Sequence, residues 1–391
     1  MFNYFKNQKG SIMPVTALAL TTIMGVTGLV FDSSNLFVNK TKLQNLLDSA
    51  ALGAASVLSD SRSQFLSSVA ARNIITNTLA QDGYSQLNDL GLNSNSFVIQ
   101  YSSTRNPFVA NPAATRFVRV RLNQGVAEIN TLFMRIFGIN QLDLTGSAVA
   151  GPSPALSTVC NAVPTIVCGD PDVPPDASGM YGYNYGDQVT LAMGNTHNNA
   201  TGPGNFQLLD LGISGNDGKL RESMAGGSEA CIAANASVET KPGVNRGPVS
   251  QGFNTRFGIY NGPVSADDYP PDLVTDAGGN NYPDSHISYL IDNMTKNYDE
   301  PTLGLAQRRV IPVPFGNCDG TINGRGTVEI IGFGCIFLNQ PAQNNGALQT
   351  VQLFGELVRD CRSNGTPGPN PGNGQGVKTI QLYDDPSRWD S

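Results

Sequence analysis

The sequence predicts a membrane-anchored α+β protein, in which one N-terminal transmembrane helix continues into an amphipathic helix. A small α+β module follows, and then a mainly β C-terminal domain. Three observations predict this fold class: an uncharged apolar run at residues 12–31, apolar residues at helical spacing as far as residue 58, and alternating strand and turn patterns beyond it.

The apolar run at residues 12–31 is long enough to cross a bilayer core of about 30 Å as a helix. Lys6 and Lys9 precede it and Asp32 follows it, so the positive-inside rule predicts a cytoplasmic N-terminus at residues 1–11 and an exported remainder. A cleaved signal peptide and a buried core helix are the alternatives, but the run is longer than a usual signal-peptide core and lacks a clear cleavage site. The proposed anchor residues are Ile12, Leu18, Leu20, Ile23, Leu29, Val30 and Phe31.

Residues 32–59 predict a helical stalk that continues the membrane helix without a break. Leu43, Leu46 and Leu47 share one helical face with the alanines that follow. The small residues at 49–55 allow close packing against another helix, which is either part of the protein's own first domain or a partner.

Residues 60–151 predict a small α+β module. Helical spacing covers 62–82 and 126–137, and strand-like patterns cover 97–101, 117–122 and 142–149.

The remainder of the chain divides by composition. Residues 152–203 are rich in Pro, Gly, Asn and Asp and predict a linker, whereas residues 204–362 alternate short apolar stretches with turns and predict a mainly antiparallel sheet domain. Residues 363–376 predict a flexible Gly/Pro linker, and residues 377–391 a tail with one short strand. The apolar stretches are Phe206–Leu211, Phe253–Tyr260, His286–Ile291, Val310–Pro314, Val328–Leu338 and Leu348–Val358.

Six cysteines follow the apolar run, and an even number in an exported chain favours disulfides. Cys160 and Cys168 close a short loop, so we expect them to pair, while the other four leave three pairings open. A zinc site is the weaker alternative because no Cys-x-x-Cys is present. The disulfide candidates are Cys160, Cys168, Cys231, Cys318, Cys335 and Cys361.

The chain has only two histidines and no recognisable triad, metal-ligand or phosphate-loop motif, so we expect no catalytic residues, cofactor or metal. A net charge of −7 argues against nucleic-acid binding, and no nucleophile, metal cluster or small-molecule site is evident. We expect several polar groups to be solvated surface or loop residues: the histidines His197 and His286, the acidic pairs Asp267–Asp268 and Asp384–Asp385, and the strand arginines Arg116, Arg119 and Arg121.

Several short motifs follow one another in the N-terminal segment. A short basic stretch ends in Gly-Ser, an apolar helix and an acidic residue follow, and a Gln-x-x-x-Asp-x-Ala-Ala-x-x-Ala-Ala motif completes the pattern. This pattern resembles the TadG-like (TadE/TadG-type) family of Flp, or tight adherence, pilus-assembly proteins. The fifth position counted from Gly10 is Val15, not the Glu of cleaved pilin-like relatives, which favours an uncleaved assembly factor. The matching residues are Gly10, Ser11, Asp32, Gln44, Asp48, Ala50, Ala51 and Ala54.

This resemblance implies a single-pass bacterial inner-membrane protein with its bulk in the periplasm. Its partners would be the membrane and other pilus-assembly proteins, and its role that of a scaffold or connector. A membrane-anchored adhesin or ligand-binding module is the alternative.

Overall fold

The computed structural model describes residues 12–193, 205–213, 215–243, 245–275, 284–295, 304–318, 322–345, 350–368 and 376–385. Gly10, Ser11, His197 and Trp389 lie outside these ranges. The described parts of residues 1–55, 64–150 and 382–391 form one unit, and those of residues 56–63 and 151–381 form a second.

The α-helices in the described ranges are α1 Ile12–Ser61, α2 Gln64–Leu79, α3 Ser85–Asp89, α4 Asp217–Gly226, α5 Arg246–Phe253 and α6 His286–Thr295.

The strands are β1 Phe97–Ser102, β2 Phe117–Leu122, β3 Glu128–Asn130, β4 Gln141–Asp143, β5 Ser147–Pro152, β6 Leu156–Cys160, β7 Val167–Gly169, β8 Gly179–Met180, β9 Tyr183–Asn184, β10 Gln188–Met193, β11 Asn205–Leu209, β12 Cys231–Ala233, β13 Ser237–Pro242, β14 Val310–Asn317, β15 Thr327–Phe337, β16 Gln343–Asn345, β17 Thr350–Val358, β18 Asp360–Arg362, β19 Asn364–Pro367, β20 Gly376–Lys378 and β21 Ile380–Tyr383.

The first unit packs helices on a four-stranded sheet of order β1-β2-β5-β21, in which β2 is antiparallel to both β1 and β5. Gly146, just before β5, lies against α1, and a Cβ there would be 3.1 Å from Cδ2 of Leu43. Gly53 contacts Ile74 of α2 so closely that a Cβ would overlap the Ile74 side chain. Small residues therefore allow the helix backbones and the sheet to approach closely.

The helix predicted for residues 126–137 is wrong. These residues instead form the first strand and the tip of a hairpin, in which β3 pairs antiparallel with β4. A short 3₁₀ helix, Met134–Phe137, occupies the tip and ends at Gly138, whose φ of 83° is left-handed. The strand predicted for 142–149 is correspondingly divided between β4 and β5.

The second unit is built on an eight-stranded sheet with the path β10-β17-β15-β13-β11, to which β7, β14 and β16 are attached. Successive residues of β15 alternate between two buried clusters: Cys335 and Phe337 belong to one and Ile336 to the other. Both faces of this sheet are therefore covered. Phe253 of α5 contributes to the cluster with Ile336, and Tyr289 of α6 to the opposite one.

The segment predicted as a linker at 152–203 contributes β6 to β10 where it is described, and Val159, Val167 and Leu191 are buried in the second unit. Most of its described Pro and Gly residues lie between these short strands, so composition alone misassigned it. Similarly, part of the second predicted linker, 363–376, forms β19, which pairs with β6.

The predicted pairing of Cys160 with Cys168 is wrong. Antiparallel pairing of β6 with β12 places Cys160 opposite Cys231, and these two form a disulfide. Cys168 pairs with Cys318, and Cys335 with Cys361.

The predicted fold class is confirmed: a long apolar N-terminal helix is followed by an α+β region and then a mostly β region. Two of the apolar stretches are helical instead of strand-like. Phe253–Tyr260 contains the end of α5 and a 3₁₀ turn, and His286–Ile291 begins α6.

Candidate membrane-anchoring site

The N-terminal part of α1 presents apolar side chains to its surroundings on every face. A helix long and apolar enough to cross a membrane begins at Ile12, and a signal sequence would share these properties. Such all-round exposure of apolar groups is unfavourable in water and favourable in lipid. The exposed fractions are Ile12 71%, Leu18 69%, Leu20 55%, Ile23 59%, Leu29 38%, Val30 62% and Phe31 68%.

The C-terminal part of α1 is different, because it forms the core of the first unit. Leu43, Leu46 and Leu47 are fully buried, as are the motif residues Ala50, Ala51 and Ala54. The hydroxyl of Ser67 on α2 donates a hydrogen bond of 2.8 Å to the carbonyl of Ala54. The small-residue stretch of α1 thus packs within the protein's own first unit.

Asp32, the first charged residue after the apolar run, holds the tip of the β3–β4 hairpin. Its carboxylate accepts hydrogen bonds from the backbone N–H groups of Leu132 (2.9 Å), Phe133 (2.9 Å) and Met134 (2.7 Å). These are donors at the start of a helical turn, where a carboxylate is favourable. Asp32 therefore joins α1 to the tip of the β3–β4 hairpin by three hydrogen bonds, and we call this contact the Asp32 clasp.

The Gln and Asp of the motif lie one helical turn apart and interact directly. Nε2 of Gln44 donates to Oδ1 of Asp48 at 2.7 Å and to the backbone carbonyl of Ser147 at 3.1 Å. Burial raises the pKa of Asp48, and the Gln44 hydrogen bond opposes that rise. The pair thus connects the outer half of α1 to β5.

A second set of polar contacts begins at Ser147. It shows that two of the residues predicted to be solvated are largely buried. The hydroxyl of Ser147 donates to Oδ2 of Asp385 at 2.8 Å, and Asp385 also pairs with Arg119 at 3.4 Å. Arg119 is bonded in addition to Gln100 of β1. Asp385 and Arg119 are therefore largely buried instead of solvated, whereas Asp384 is exposed as predicted.

His286 is not a surface loop residue, because it begins α6 with its ring 5.4 Å from that of Phe337. Burial lowers its pKa to about 4, with a further lowering by Arg62 and an opposing effect of Asp360. The imidazole is consequently neutral near pH 7.

A buried polar centre in the second unit gave no sequence signal. Asp272 accepts hydrogen bonds from the Tyr289 hydroxyl and the Arg309 backbone N–H, each at 3.0 Å. The Arg309 guanidinium lies 4.6 Å from the Phe337 ring centroid and 4.8 Å from that of Phe257. Burial raises the pKa of Asp272. These contacts connect α6, the residue before β14, and β15 in the core of the second unit.

In the part of the chain that the structure describes, no three His, Cys, Asp or Glu side chains are grouped to hold a metal ion. All six cysteines are joined in disulfides, so they provide no thiolate. The main feature of the site is thus an apolar helix long enough to cross a membrane, which Asp32 joins to the first unit by hydrogen bonds.

That arrangement defines a class of proteins with one N-terminal apolar helix and disulfide-bonded folded units after it. Residues 10–57 match the family model described as putative Flp pilus-assembly TadE/G-like. The resemblance inferred from the N-terminal motif is confirmed, and it supports a role in pilus assembly. No curated protein and no solved structure matches the chain.

Proposed function

We propose that this chain is a non-enzymatic, inner-membrane-anchored periplasmic component of Flp pilus assembly, which acts as a scaffold or connector. The observation that carries the proposal is the TadE/G-like match at residues 10–57, because it covers both the apolar run and the motif that clasps it to the first unit.

Charge and redox chemistry support the topology. Lys6 and Lys9 precede the apolar run, which favours a cytoplasmic N-terminus. The three disulfides all lie on the C-terminal side of the run and fit an oxidising periplasm.

A gene deletion tests the role in assembly. We expect surface Flp pili to disappear and to return when the wild-type chain is supplied. A second complementing chain, with residues 12–31 replaced by an unrelated transmembrane helix, should restore pili if the run serves only as an anchor. Intact pili with lost ligand binding would contradict the assembly role and favour an anchored adhesin.

The topology has its own test. Alkaline phosphatase fused after Ser391 should be active, and the mature chain should retain Met1 or Phe2 in the membrane fraction. An N-terminus near residue 32 would instead identify the run as a cleaved signal peptide.

A further inference from the structure

We propose that the tip of the β3–β4 hairpin, residues 131–140, is a second membrane contact, inserted into the interfacial layer of the bilayer that α1 crosses. This inference rests on the membrane span in the proposed function. It adds that the first folded unit itself touches lipid on the exported side.

The hairpin tip exposes several large apolar side chains. Leu132 is 74% exposed, Ile136 78%, Phe137 63% and Ile139 45%. Four large apolar side chains exposed within one short hairpin tip favour a contact with lipid or protein over a surface that faces only water.

The hairpin tip lies next to the end of the apolar run of α1. The Asp32 clasp fixes the backbone of the tip beside the residue at which the apolar run ends. Phe133 lies against Gly28, since a Cβ on Gly28 would overlap its ring, and the Phe133 ring centroid is 6.5 Å from that of Phe31. The tip therefore extends alongside the apolar run.

The depth of this contact suits the membrane interface. Gly28 precedes Asp32 by four residues, which corresponds to about 6 Å along a helix. Interfacial segments bury their apolar side chains about 5–10 Å into the boundary between headgroups and acyl chains. Phe133 thus lies at the level that lipid would occupy around α1, and the exposed apolar residues of the tip are its near neighbours in the chain.

Several backbone N–H groups of the tip have acceptors within the protein. Asp32 accepts from three of them, and within the tip the N–H of Ile136 bonds to the Phe133 carbonyl, that of Gly138 to Arg135 and that of Ile139 to Met134. Such internal hydrogen bonds lower the cost of placing these N–H groups in a low-dielectric layer.

Polarity along the hairpin matches the same orientation. In the paired strands the exposed residues are polar: Glu128 lies opposite Asp143 and Asn130 opposite Gln141, while the remaining pair, Ile129 and Leu142, is more buried. Arg135, exposed among the apolar residues, can extend its guanidinium to lipid phosphates while its stem stays with the acyl chains. An apolar tip that carries one cation, next to strands with polar exposed residues, suits a lipid interface.

The consequence is a two-point attachment. A single helix leaves the exported part free to tilt relative to the bilayer, whereas a second lipid contact beside the helix limits this tilt and fixes which side of the first unit faces the membrane. A connector between membrane and pilus machinery would gain a defined orientation.

Depth-dependent fluorescence quenching tests the proposal on the full chain. In a Trp389→Phe background, which removes the chain's single Trp, the separate variants Phe137→Trp, Leu18→Trp and Val109→Trp each provide one probe. They are reconstituted in phosphatidylcholine–phosphatidylglycerol vesicles that carry doxyl groups at shallow or deep acyl positions. Val109 is 58% exposed and lies on the first unit outside the hairpin, so it is the matched control. Ile136→Trp is a second tip probe if Phe137→Trp does not fold.

We expect Phe137→Trp to be quenched at least twofold more by shallow than by deep labels, Leu18→Trp to be quenched in the acyl region, and Val109→Trp to remain unquenched. If Leu18→Trp is quenched but both tip probes are not, the hairpin contact is refuted and the membrane span is retained. If Leu18→Trp is also unquenched, the span itself fails. A blue-shifted but unquenched tip probe would mean that a second copy or another protein covers the tip, which also refutes lipid contact.

Discussion

The carboxylate of Asp385 accepts a 2.8 Å hydrogen bond from the hydroxyl of Ser147, although 238 positions separate the two residues. Asp385 is 2% exposed. Since the carbonyl of Ser147 also accepts a hydrogen bond from the Gln44 side chain, one residue of β5 connects α1 to a segment near the end of the chain. The first unit is thus closed by residues from both ends of the sequence.

Replacing Asp385 should destabilise the first unit strongly. Asp385→Ala leaves Arg119, whose side chain is 12% exposed, without this buried partner, and loss of one member of a buried pair costs about 3–5 kcal/mol. Unfolding in detergent, with hydrogen exchange followed on β2 and β5, measures the effect.

The adjacent exposed carboxylate is the control for this variant. Asp384→Ala should change stability by no more than about 0.5 kcal/mol, as most surface substitutions do. Equal effects of the two substitutions would contradict a buried role for Asp385.

The disulfide pattern makes a second prediction. Non-reducing digestion and mass spectrometry should recover peptides that link Cys160 to Cys231, Cys168 to Cys318 and Cys335 to Cys361. A peptide in which Cys160 is bonded to Cys168 would contradict this pattern.

Removing different disulfides should have different effects. The chain-entropy model gives about 5 kcal/mol for the 150-residue separation of Cys168–Cys318 and about 3.5 kcal/mol for the 26-residue separation of Cys335–Cys361. Denaturant unfolding of the two double Cys→Ala variants should therefore rank the first as less stable. The reverse ranking would mean that packing, not chain entropy, dominates.

The elements that the sequence predicted correctly are those whose own residues carry the pattern. Charge-free length and helical spacing identified α1, and alternation identified β1 and β2. The hairpin tip was misread as a helix because its apolar residues have helical spacing, yet Leu132 and Ile136 are exposed and do not form a core-facing stripe.

Features that depend on distant pairing could not be predicted. Cys160 pairs with Cys231 because β6 lies beside β12, and nothing in the local sequence encodes that register. Arg119 and Asp385 each look like surface charges in their own segments, and only the folded sheet brings them together. For the anchoring site, the motif residues were identifiable, but the hairpin partner of Asp32 was not.

His286 predicts a pH dependence in the second unit. Its folded-state pKa of about 4 lies below the ordinary 6.5, so the unfolded chain binds a proton first as pH falls. The stabilisation that neutral His286 contributes is therefore fully present above about pH 6.5. It is lost as the pH falls from about 6.5 to about 4, and the loss is at most about 3 kcal/mol. Denaturant unfolding across this pH range should show that the free energy of unfolding falls less steeply with decreasing pH in His286→Gln than in the wild-type chain. An unchanged slope would contradict the burial of the imidazole.

Two glycines of α1 provide a matched test of the contact between helix and hairpin. A Cβ on Gly28 overlaps the Phe133 ring, whereas one on Gly25 meets nothing within 4 Å. Gly28→Leu should therefore cost about 1–3 kcal/mol more than Gly25→Leu, because both add the same side chain to the same apolar run but only one displaces Phe133. Thermal unfolding in detergent gives the difference, and a double-mutant cycle with Phe133→Ala assigns it: the excess cost of Gly28→Leu should largely vanish when the ring is absent. Equal costs at both glycines, or an excess that persists without the ring, would mean that Phe133 does not pack on the helix at this level.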